Sequence, residues 1–197
     1  MESKPILFVD FDGTLCFDRF WRSLEPALYN KIQSFLFKEN KIKTNEWMLG
    51  KRSSEEINET LARYLQVPPD SLWQLFQQDC ETMRVDQELL NKINSLRKKF
   101  YTILITDNMD CFDRFTTPAL ELNKYFDVIV NSFREQKFKS DSNGELFVKY
   151  TNKFNSPIKS SVLIDNSVKT CNVFSRLGGT VYLVTSDESA SRHLSKL

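Results

Sequence analysis

The sequence is poor in the side chains that build two common kinds of site. Histidine occurs once in 197 residues, as His193 in a polar stretch near the carboxyl terminus. A catalytic triad with a histidine base and a metal site with several histidines are therefore disfavoured. The four cysteines lie far apart and form no CxxC pair, a spacing that fits neither a zinc site nor a small disulfide framework. We expect them to be the reduced thiols of a cytoplasmic protein.

The chain also lacks a dominant charge and a long apolar run. It carries 27 basic and 26 acidic side chains, which gives a formal net charge of +1. No global field would attract nucleic acid or an anionic membrane, so neither is expected as a partner. The first apolar stretch, Ile6–Val9, is too short for a signal peptide or a membrane span. We therefore expect a soluble protein in the cytoplasm.

Short apolar runs alternate with helical patterns along most of the chain. Five runs are typical of buried strands: Ile6–Val9, Tyr101–Ile105, Val128–Val130, Val162–Ile164 and Val181–Val184. Three helices are predicted between them: Glu88–Phe100, Phe112–Leu122 and Lys169–Leu177. Strands that alternate with helices indicate an α/β fold with a doubly wound, mainly parallel sheet.

One segment departs from this alternation. It contains no convincing strand but several helical patterns, such as Ser54–Leu65 and Ser71–Met83, the latter with Asp70 as its predicted N-cap. We therefore expect an all-helical insertion within an α/β core. The predicted division is residues 1–16 and 85–197 for the core and residues 17–84 for the insertion.

Polar side chains follow three of the predicted strands at the point where each strand ends. They are Asp10 and Asp12, then Thr106, Asp107 and Asn108, and finally Asp165 and Asn166. Ligand sites of open parallel sheets lie beyond the carboxyl ends of the strands, so we expect these side chains to meet at one edge. Any one of them could be a simple turn former, but that role does not explain all three groups together.

The first acidic pair suits a hard cation. Asp10 and Asp12 are two residues apart at a strand exit, and Gly13 lets the backbone turn away tightly. Magnesium takes oxygen ligands and bridges to phosphate, so these two acids with Asp165 would make such a site. The two early acids then need different roles, because one must be ionised to attack while the other is transiently protonated to help a leaving group depart.

At these strand ends the sequence resembles the haloacid dehalogenase superfamily. The segment Leu7–Leu15 is similar to the family's first motif, an apolar strand followed by DxDGT. The segment Ile103–Thr106 resembles the second motif, whose hydroxyl binds a phosphoryl oxygen. The segment Val162–Ser167 resembles the fourth motif, with Asn166 in place of the second acid. An amide oxygen ligates magnesium without adding charge, so either Asp165 or Asn166 is the expected ligand.

The family's third motif supplies a lysine, for which the chain offers Lys137, Lys139, Lys149 and Lys153. The family's lysine usually follows a serine like Ser132 by about seven positions, which favours Lys139. The segment Lys139–Asp141 also resembles the family's KPD sequence. Ser140 in place of proline, with about two extra residues before the next apolar run, keeps Lys149 as an alternative.

The resemblance implies a magnesium-dependent phosphohydrolase with a helical cap. Asp10 would attack phosphorus to form an aspartyl-phosphate, and Asp12 would act as general acid and base. Thr106 and Lys139 would bind the other phosphoryl oxygens. The implied magnesium ligands are drawn from Asp10, Asp12, Asp165 and Asn166.

The resemblance also implies a small phosphorylated metabolite as substrate. The candidate substrate-binding residues are Thr106, Asp107, Asn108, Lys51 and Arg52. Lys51 and Arg52 follow Gly50, and the family's caps often set a glycine-centred loop over the active site, although a solvated surface pair is the alternative. A phosphomutase and a weakly catalytic binding or regulatory protein are the alternative functions. A 2-haloacid dehalogenase is disfavoured, because its chemistry does not require the acid and base that Asp12 supplies.

Overall fold

The computed structural model describes residues 4–197, and its five strands form one sheet. The strands are β1 (Ile6–Val9), β2 (Tyr101–Thr106), β3 (Val128–Asn131), β4 (Val162–Asp165) and β5 (Thr180–Leu183). Their order is β3-β2-β1-β4-β5, and every neighbouring pair is parallel. The α/β fold with a parallel sheet, predicted from the alternating pattern, is confirmed.

Helices connect these strands. The α-helices are α1 (Pro26–Ser34), α2 (Lys41–Met48), α3 (Ser54–Leu65), α4 (Pro69–Glu81), α5 (Gln87–Leu96), α6 (Thr117–Ala119), α7 (Ser132–Glu135), α8 (Glu145–Lys153), α9 (Val168–Arg176) and α10 (Ala190–Leu194). Two π-helical turns and three 3₁₀ turns complete the set: Phe35–Glu39 and Phe112–Thr116, then Leu122–Lys124, Asp141–Asn143 and Ile158–Ser160. Within residues 4–197, no helix has the length and apolar character that crossing a membrane requires.

Both faces of β1 are covered. Leu7 and Val9 pack in one apolar cluster, whereas Ile6 and Phe8 pack in another on the opposite face, because successive side chains of a strand alternate. All four are fully buried, and each such side chain contributes about 1.5–3 kcal/mol to stability. An apolar run buried on both sides is typical of a central parallel strand.

The register brings the carboxyl ends of the inner strands to one edge. Val9 lies opposite Leu104 of β2 and Ile164 of β4. The polar residues Thr106 and Asp165 end those two strands, and Asp10 follows β1 directly. The three strand ends that carry polar side chains therefore lie side by side.

Residues 17–84 contain helices α1–α4 and no strand. They have an aromatic core, in which Trp21 stacks on Phe76 with ring centroids 4.6 Å apart, next to the fully buried Trp47. Helix α3 has the predicted bounds and begins with a capping box formed by Ser53 and Glu56.

Three helix predictions are wrong in detail. The helix predicted to reach Phe100 is α5, which ends at Leu96. Asp70 is not the N-cap of α4, because the helix begins at Pro69, a residue suited to the first turn, and Asp70 lies within that turn. The single helix predicted over Phe112–Leu122 is divided into a π-helical turn and the short α6. Pro118 lies at this division and has no N–H to donate to the preceding turn, which breaks the regular ladder.

His193 is not part of a solvated tail. It is 4% exposed on α10, its ring stacks on Tyr182 with centroids 5.1 Å apart, and its Nε2 lies 2.9 Å from the Leu183 carbonyl oxygen. Ala190 and Leu194 are buried on the same helix, because positions i, i+3 and i+4 share one face. The spacing of these three residues was the signal for this short amphipathic helix.

Candidate active site

Asp10 directly follows the central strand and is almost fully buried. Its N–H donates to the Ile164 carbonyl oxygen at 3.0 Å, and Thr14 Oγ1 donates to Asp10 Oδ2 at 3.3 Å. The chain turns away at Gly13, whose φ of +74° lies in the left-handed region that favours glycine. Asp10 is therefore fixed by its strand and by the turn that follows it.

Lys139 joins two of the acidic strand ends. Its ammonium donates to Asp10 Oδ1 and to Asp165 Oδ2, each at 2.7 Å. All three residues are at most 3% exposed. Asp165 also accepts a hydrogen bond from the Ser167 N–H at 2.7 Å, which fixes the orientation of its carboxylate. The edge of the sheet thus holds a buried cluster of two carboxylates and one ammonium.

The loop between α7 and α8 places Lys139 in this cluster. The Lys139 N–H donates to Asp107 Oδ1 at 2.9 Å, and the Phe138 N–H donates to Asp141 Oδ2 at 3.1 Å. Lys149, the alternative lysine, lies on α8 with a half-exposed side chain that pairs with Glu135. Of the two lysines, the structure brings only Lys139 to the strand ends.

Burial and neighbouring charges set the protonation of this cluster. Burial raises the pKa of Asp10 to about 7, the Lys139 ammonium opposes that rise, and the Asp165 carboxylate adds to it. Burial disfavours the charged form of Lys139, but Asp10, Asp165 and Asp107 outweigh it and hold its pKa above the usual value. Lys139 is therefore a fixed positive charge at neutral pH.

Asp12 lies at the same edge but is more accessible, with 36% of its side chain exposed. Asn108 Nδ2 donates to Asp12 Oδ2 at 2.9 Å, and Arg19 Nη1 lies 4.0 Å from Asp12 Oδ1. Surrounding protein raises the pKa of Asp12 to about 6, against the opposing charges of Arg19 and Lys139. Partial solvation reduces this effect. Asp12 can therefore exchange a proton near neutral pH.

Thr106 ends β2 beside this cluster. Its side-chain hydroxyl is buried, and among residues 4–197 it has no hydrogen-bond partner. Buried polar groups are normally paired, so an unpaired hydroxyl at an acidic edge indicates a place for a ligand. Asn108 is also buried, and its N–H donates to Ser132 Oγ at 3.0 Å, which orients its amide toward Asp12.

Asn166 is exposed and lies against the turn at Gly13, where an added Cβ would clash with the Asn166 amide. Within residues 4–197, no three acidic, histidine or cysteine side chains converge to hold an ion by themselves. Magnesium in phosphate sites commonly uses one or two carboxylates and completes its shell with waters and substrate oxygens. Asp10 and Asp165, with the nearby Asn166 amide, fit that smaller donor set.

Lys51 and Arg52 lie away from these contacts. Lys51 is exposed, and Arg52 Nε donates to Glu46 Oε2 at 2.5 Å. The preceding Gly50 packs against the Phe133 carbonyl group, which leaves no room for a Cβ at this turn. The turn is thus close to α7, which directly follows β3, but neither basic side chain lines the pocket beside Asp12.

A pocket of about 240 Å³ opens beside Asp12 and Asp107. Its wall is mainly apolar and comes from segments distant in sequence: Phe20, Phe37, Met48, Met83 and Met109. Sequence reasoning did not identify these residues as a group, because isolated apolar residues in helical patterns are usually core. Arg19 also lines this pocket. In the sequence, only its position shortly after the first motif indicated that it could lie near the site.

A larger cavity of about 870 Å³ lies between α3, α4 and the π-helical turn at Phe112–Thr116. It contains none of the polar strand ends. Arg114 lines it and pairs there with Glu55 at 2.6 Å. The chemistry of the strand ends, and not cavity size, identifies the smaller pocket as the candidate active site.

Comparison with protein-family models gives no match, and comparison with curated proteins gives none either. Solved structures do match. A magnesium and inorganic phosphate complex of an HAD family enzyme from Bacteroides thetaiotaomicron has a TM-score of 0.73 and 16% identity, over 97% of this chain and 99% of that one. A predicted HAD-like family hydrolase from Porphyromonas gingivalis has a TM-score of 0.71 and 16% identity, over 98% and 97%.

A dehalogenase has a similar structure as well. The L-2-haloacid dehalogenase from Xanthobacter autotrophicus, with chloropropionic acid covalently bound, has a TM-score of 0.64 and 13% identity. That match covers 98% of this chain and 83% of the dehalogenase. At such identities these likenesses establish the shared fold, and the chemistry must be argued from the residues at the strand ends.

Proposed function

We propose that this chain, which has the fold of the haloacid dehalogenase superfamily, is a magnesium-dependent phosphatase for a small phosphorylated metabolite. The observation that carries this proposal is the buried ammonium of Lys139, held 2.7 Å from both Asp10 and Asp165 next to the unpaired hydroxyl of Thr106. A nucleophile with cationic and neutral donors around it is what phosphoryl transfer requires.

Asp10 is the nucleophile in this mechanism. One of its carboxylate oxygens attacks phosphorus, the bond from phosphorus to the ester oxygen breaks, and Asp12 gives its proton to the departing oxygen. Asp12 then removes a proton from a water that attacks the aspartyl-phosphate, which releases phosphate and restores Asp10. A pKa of Asp12 near 6 suits both steps, because the group is easily protonated and deprotonated near neutral pH.

Thr106 and Lys139 bind the oxygens that stay on phosphorus. Thr106 has a free donor for one of them, and Lys139 places a permanent positive charge beside the attacked group. Such donors act where charge develops in the transition state, and losing one typically costs about 10²–10³ in rate.

Asp10 and Asp165 would hold the magnesium ion, with the Asn166 amide and the backbone carbonyl of Asp12 as further oxygen donors. The ion would neutralise phosphoryl charge and orient the phosphate. The magnesium and inorganic phosphate complex of the HAD family enzyme from Bacteroides thetaiotaomicron supports this choice of cofactor.

The helical segment at residues 17–84 is the cap in this proposal, and residues 1–16 and 85–197 are the catalytic core. The pocket beside Asp12 supports that division, because the core supplies Asp107 and Met109 while the helical segment supplies Phe20 and Phe37. A cytoplasmic location belongs to the same proposal and is supported by four buried, free cysteines.

Dehalogenase chemistry is disfavoured although the fold permits it. Asp12 is bound by Asn108 Nδ2 and lies in the pocket, where it is suited to protonate a leaving oxygen that a carbon–halogen bond does not offer. A phosphomutase remains the alternative enzyme. A binding protein with little turnover is favoured by Asn166, which replaces an acid in the fourth motif, together with the irregular segment after Lys139.

The replacement Asp10→Asn tests the nucleophile. We expect kcat/KM for phosphate esters to fall by more than about a thousandfold, because the attacking carboxylate is lost. Release of inorganic phosphate in the presence of magnesium measures this. The exposed Asp187→Asn is the matched control and should keep full activity. Retained activity in Asp10→Asn, or a wild-type protein that hydrolyses no ester of a broad panel, would refute the proposal.

A further inference from the structure

The pocket beside Asp12 limits the size of the leaving group. Its volume is about 240 Å³, and neither Asp10 nor Lys139 lines it, so this space lies outside the phosphoryl position. Pockets for drug-sized ligands begin at about 300 Å³. This pocket is therefore better matched to a leaving group of three or four carbons than to a nucleoside.

One carboxylate in this pocket is already neutralised. Asp18 accepts from Arg84 three times, from Nη2 at 2.7 Å, from the backbone N–H at 2.9 Å and from Nε at 3.0 Å. These bonds hold the pKa of Asp18 below its usual value, so it stays ionised and paired. Asp18 therefore does not act as a free negative charge toward a substrate.

Arg19 is the cation of this pocket. Its side chain is 45% exposed, it lines the pocket, and its nearest carboxylate within residues 4–197 is Asp12 at 4.0 Å. Its one short hydrogen bond runs from Nη1 to the Asp18 carbonyl oxygen at 3.0 Å. A guanidinium has five N–H donors, so most of them remain available to an oxyanion in the pocket.

The remaining wall is mainly apolar. Phe20, Met83 and Met109 are its buried part, and Gln33 is its only neutral polar side chain. The third acid of the lining, Asp107, already accepts a hydrogen bond from a backbone N–H at 2.9 Å. A mainly apolar wall with one cation favours a ligand that has a short carbon body and one negative group at its end.

Building on the proposed phosphatase function, we propose that the substrates are compact phosphate monoesters whose leaving group carries a second oxyanion, which Arg19 binds. The carbon body packs on the methionine and phenylalanine wall, and the ester oxygen points to Asp12. Arg19 is then a specificity residue that contacts the leaving group and not the transferred phosphoryl group.

The test uses two matched esters. They are glycerol 1-phosphate and the acid in which a carboxylate replaces its terminal CH₂OH group, with adenosine monophosphate as a larger probe. With magnesium present, we expect the wild-type protein to prefer the acid and to hydrolyse the nucleotide at least about tenfold less efficiently. In Arg19→Gln the preference should fall by about 10- to 100-fold, mainly through the KM of the acid, because a hydrogen bond to a charged group is lost.

Two further variants complete the test. Arg19→Lys should restore part of the preference, because it keeps the charge without the planar fork. Arg63→Gln removes an exposed arginine on α3 and should leave the preference unchanged. Any effect of Arg19 on Asp12 is common to both esters and cancels in their ratio.

Three results would overturn the inference. The first is an equal loss of kcat/KM for both esters in Arg19→Gln, which would place Arg19 on the phosphoryl group. The second is a wild-type protein that shows no preference for the acid. The third is efficient hydrolysis of the nucleotide. Each of these leaves the phosphatase proposal standing, because ester hydrolysis is observed. If no ester is hydrolysed, the phosphatase proposal fails and the specificity proposal fails with it.

Discussion

Thr106 keeps its hydroxyl group buried without a hydrogen-bond partner, although Asp10, Lys139 and Asp165 at the same sheet edge pair with one another. An unsatisfied buried polar group costs about 1–3 kcal/mol of stability. This cost falls at the position where a phosphoryl oxygen is proposed to bind. The hydroxyl of Thr106 therefore lowers the stability of the protein while it serves the proposed activity.

The replacement Thr106→Val should separate these two effects. Valine has nearly the same shape and removes only the hydroxyl, so we expect the free energy of unfolding to stay level or rise by about 1 kcal/mol. In contrast, kcat/KM should fall by about a hundredfold, because one donor to the phosphoryl group is lost. Urea denaturation and steady-state kinetics measure the two quantities.

Thr116 provides the matched control. It is equally buried, but its hydroxyl donates to the Cys80 carbonyl oxygen at 3.0 Å. Thr116→Val should therefore lose about 1 kcal/mol of stability and keep its activity. A large loss of stability in Thr106→Val would show that its hydroxyl is paired in solution.

The residues of the sheet edge could be found from sequence because each follows an apolar run. Asp10, Thr106 and Asp165 end adjacent strands, and parallel pairing brings such ends together without further information. Lys139 lies on a loop, so only its resemblance to a family motif favoured it over Lys149. The residues of the pocket wall could not be found in this way, because Phe37 and Met83 come together only when the helices and linkers pack.

At the scale of elements, Asp110 connects the helical segment at residues 17–84 to the helical turn that follows β2. It is 5% exposed, and its Oδ1 accepts from Trp47 Nε1 at 2.8 Å and from Ser54 Oγ at 2.5 Å. Its Oδ2 accepts from Arg114 Nη1 at 2.8 Å. Because Met109 precedes Asp110 and Met48 follows Trp47, this one carboxylate positions two walls of the pocket.

The replacement Asp110→Ala should destabilise the protein and loosen the pocket. Each buried donor left without a partner costs about 1–3 kcal/mol, so the total loss should exceed about 2 kcal/mol. We also expect KM to rise more than kcat falls, because the catalytic carboxylates keep their own contacts. Thermal denaturation and kinetics measure these effects.

Glu55→Gln is the control for this junction. Glu55 also pairs with Arg114, but its side chain is about half exposed, so its loss should cost no more than about 1 kcal/mol. Similar losses in both variants would mean that Asp110 acts as an ordinary surface charge.

Whether the sequence predicts an element correctly depends on whether nearby residues or tertiary contacts determine it. The bounds of α3 follow from a capping box, which is written in adjacent residues, and they agree with prediction. The break before Pro118 and the burial of His193 depend on a lost backbone bond and on contacts with β5. Such causes require the tertiary structure, and apolar periodicity alone does not reveal them.

At the scale of the whole molecule, ligand binding should raise thermal stability. Magnesium together with inorganic phosphate, each at about 100 times its dissociation constant, should stabilise the folded state by about 5 kcal/mol, since each ligand contributes about 2.7 kcal/mol. For a chain of this length that corresponds to a rise in Tm on the order of 10–20 °C. Differential scanning fluorimetry measures it, with sodium chloride at equal ionic strength as the control.

The same experiment with Asp165→Asn checks the proposed ion site. We expect most of the rise in Tm to disappear, because a charged oxygen ligand becomes a neutral one. An equal rise in wild type and variant would mean that the ion binds elsewhere.

The position of β1 at the centre of the sheet also has a consequence for biosynthesis. The partners of Leu7 are Thr102 and Val162, both far along the chain. At about 5–20 residues per second, a ribosome needs on the order of ten seconds between making β1 and making β4. During that time the four apolar residues of β1 lack their final neighbours, and the nascent chain depends on transient contacts or chaperones to shield them. Asp10 thus reaches its final position only late in synthesis.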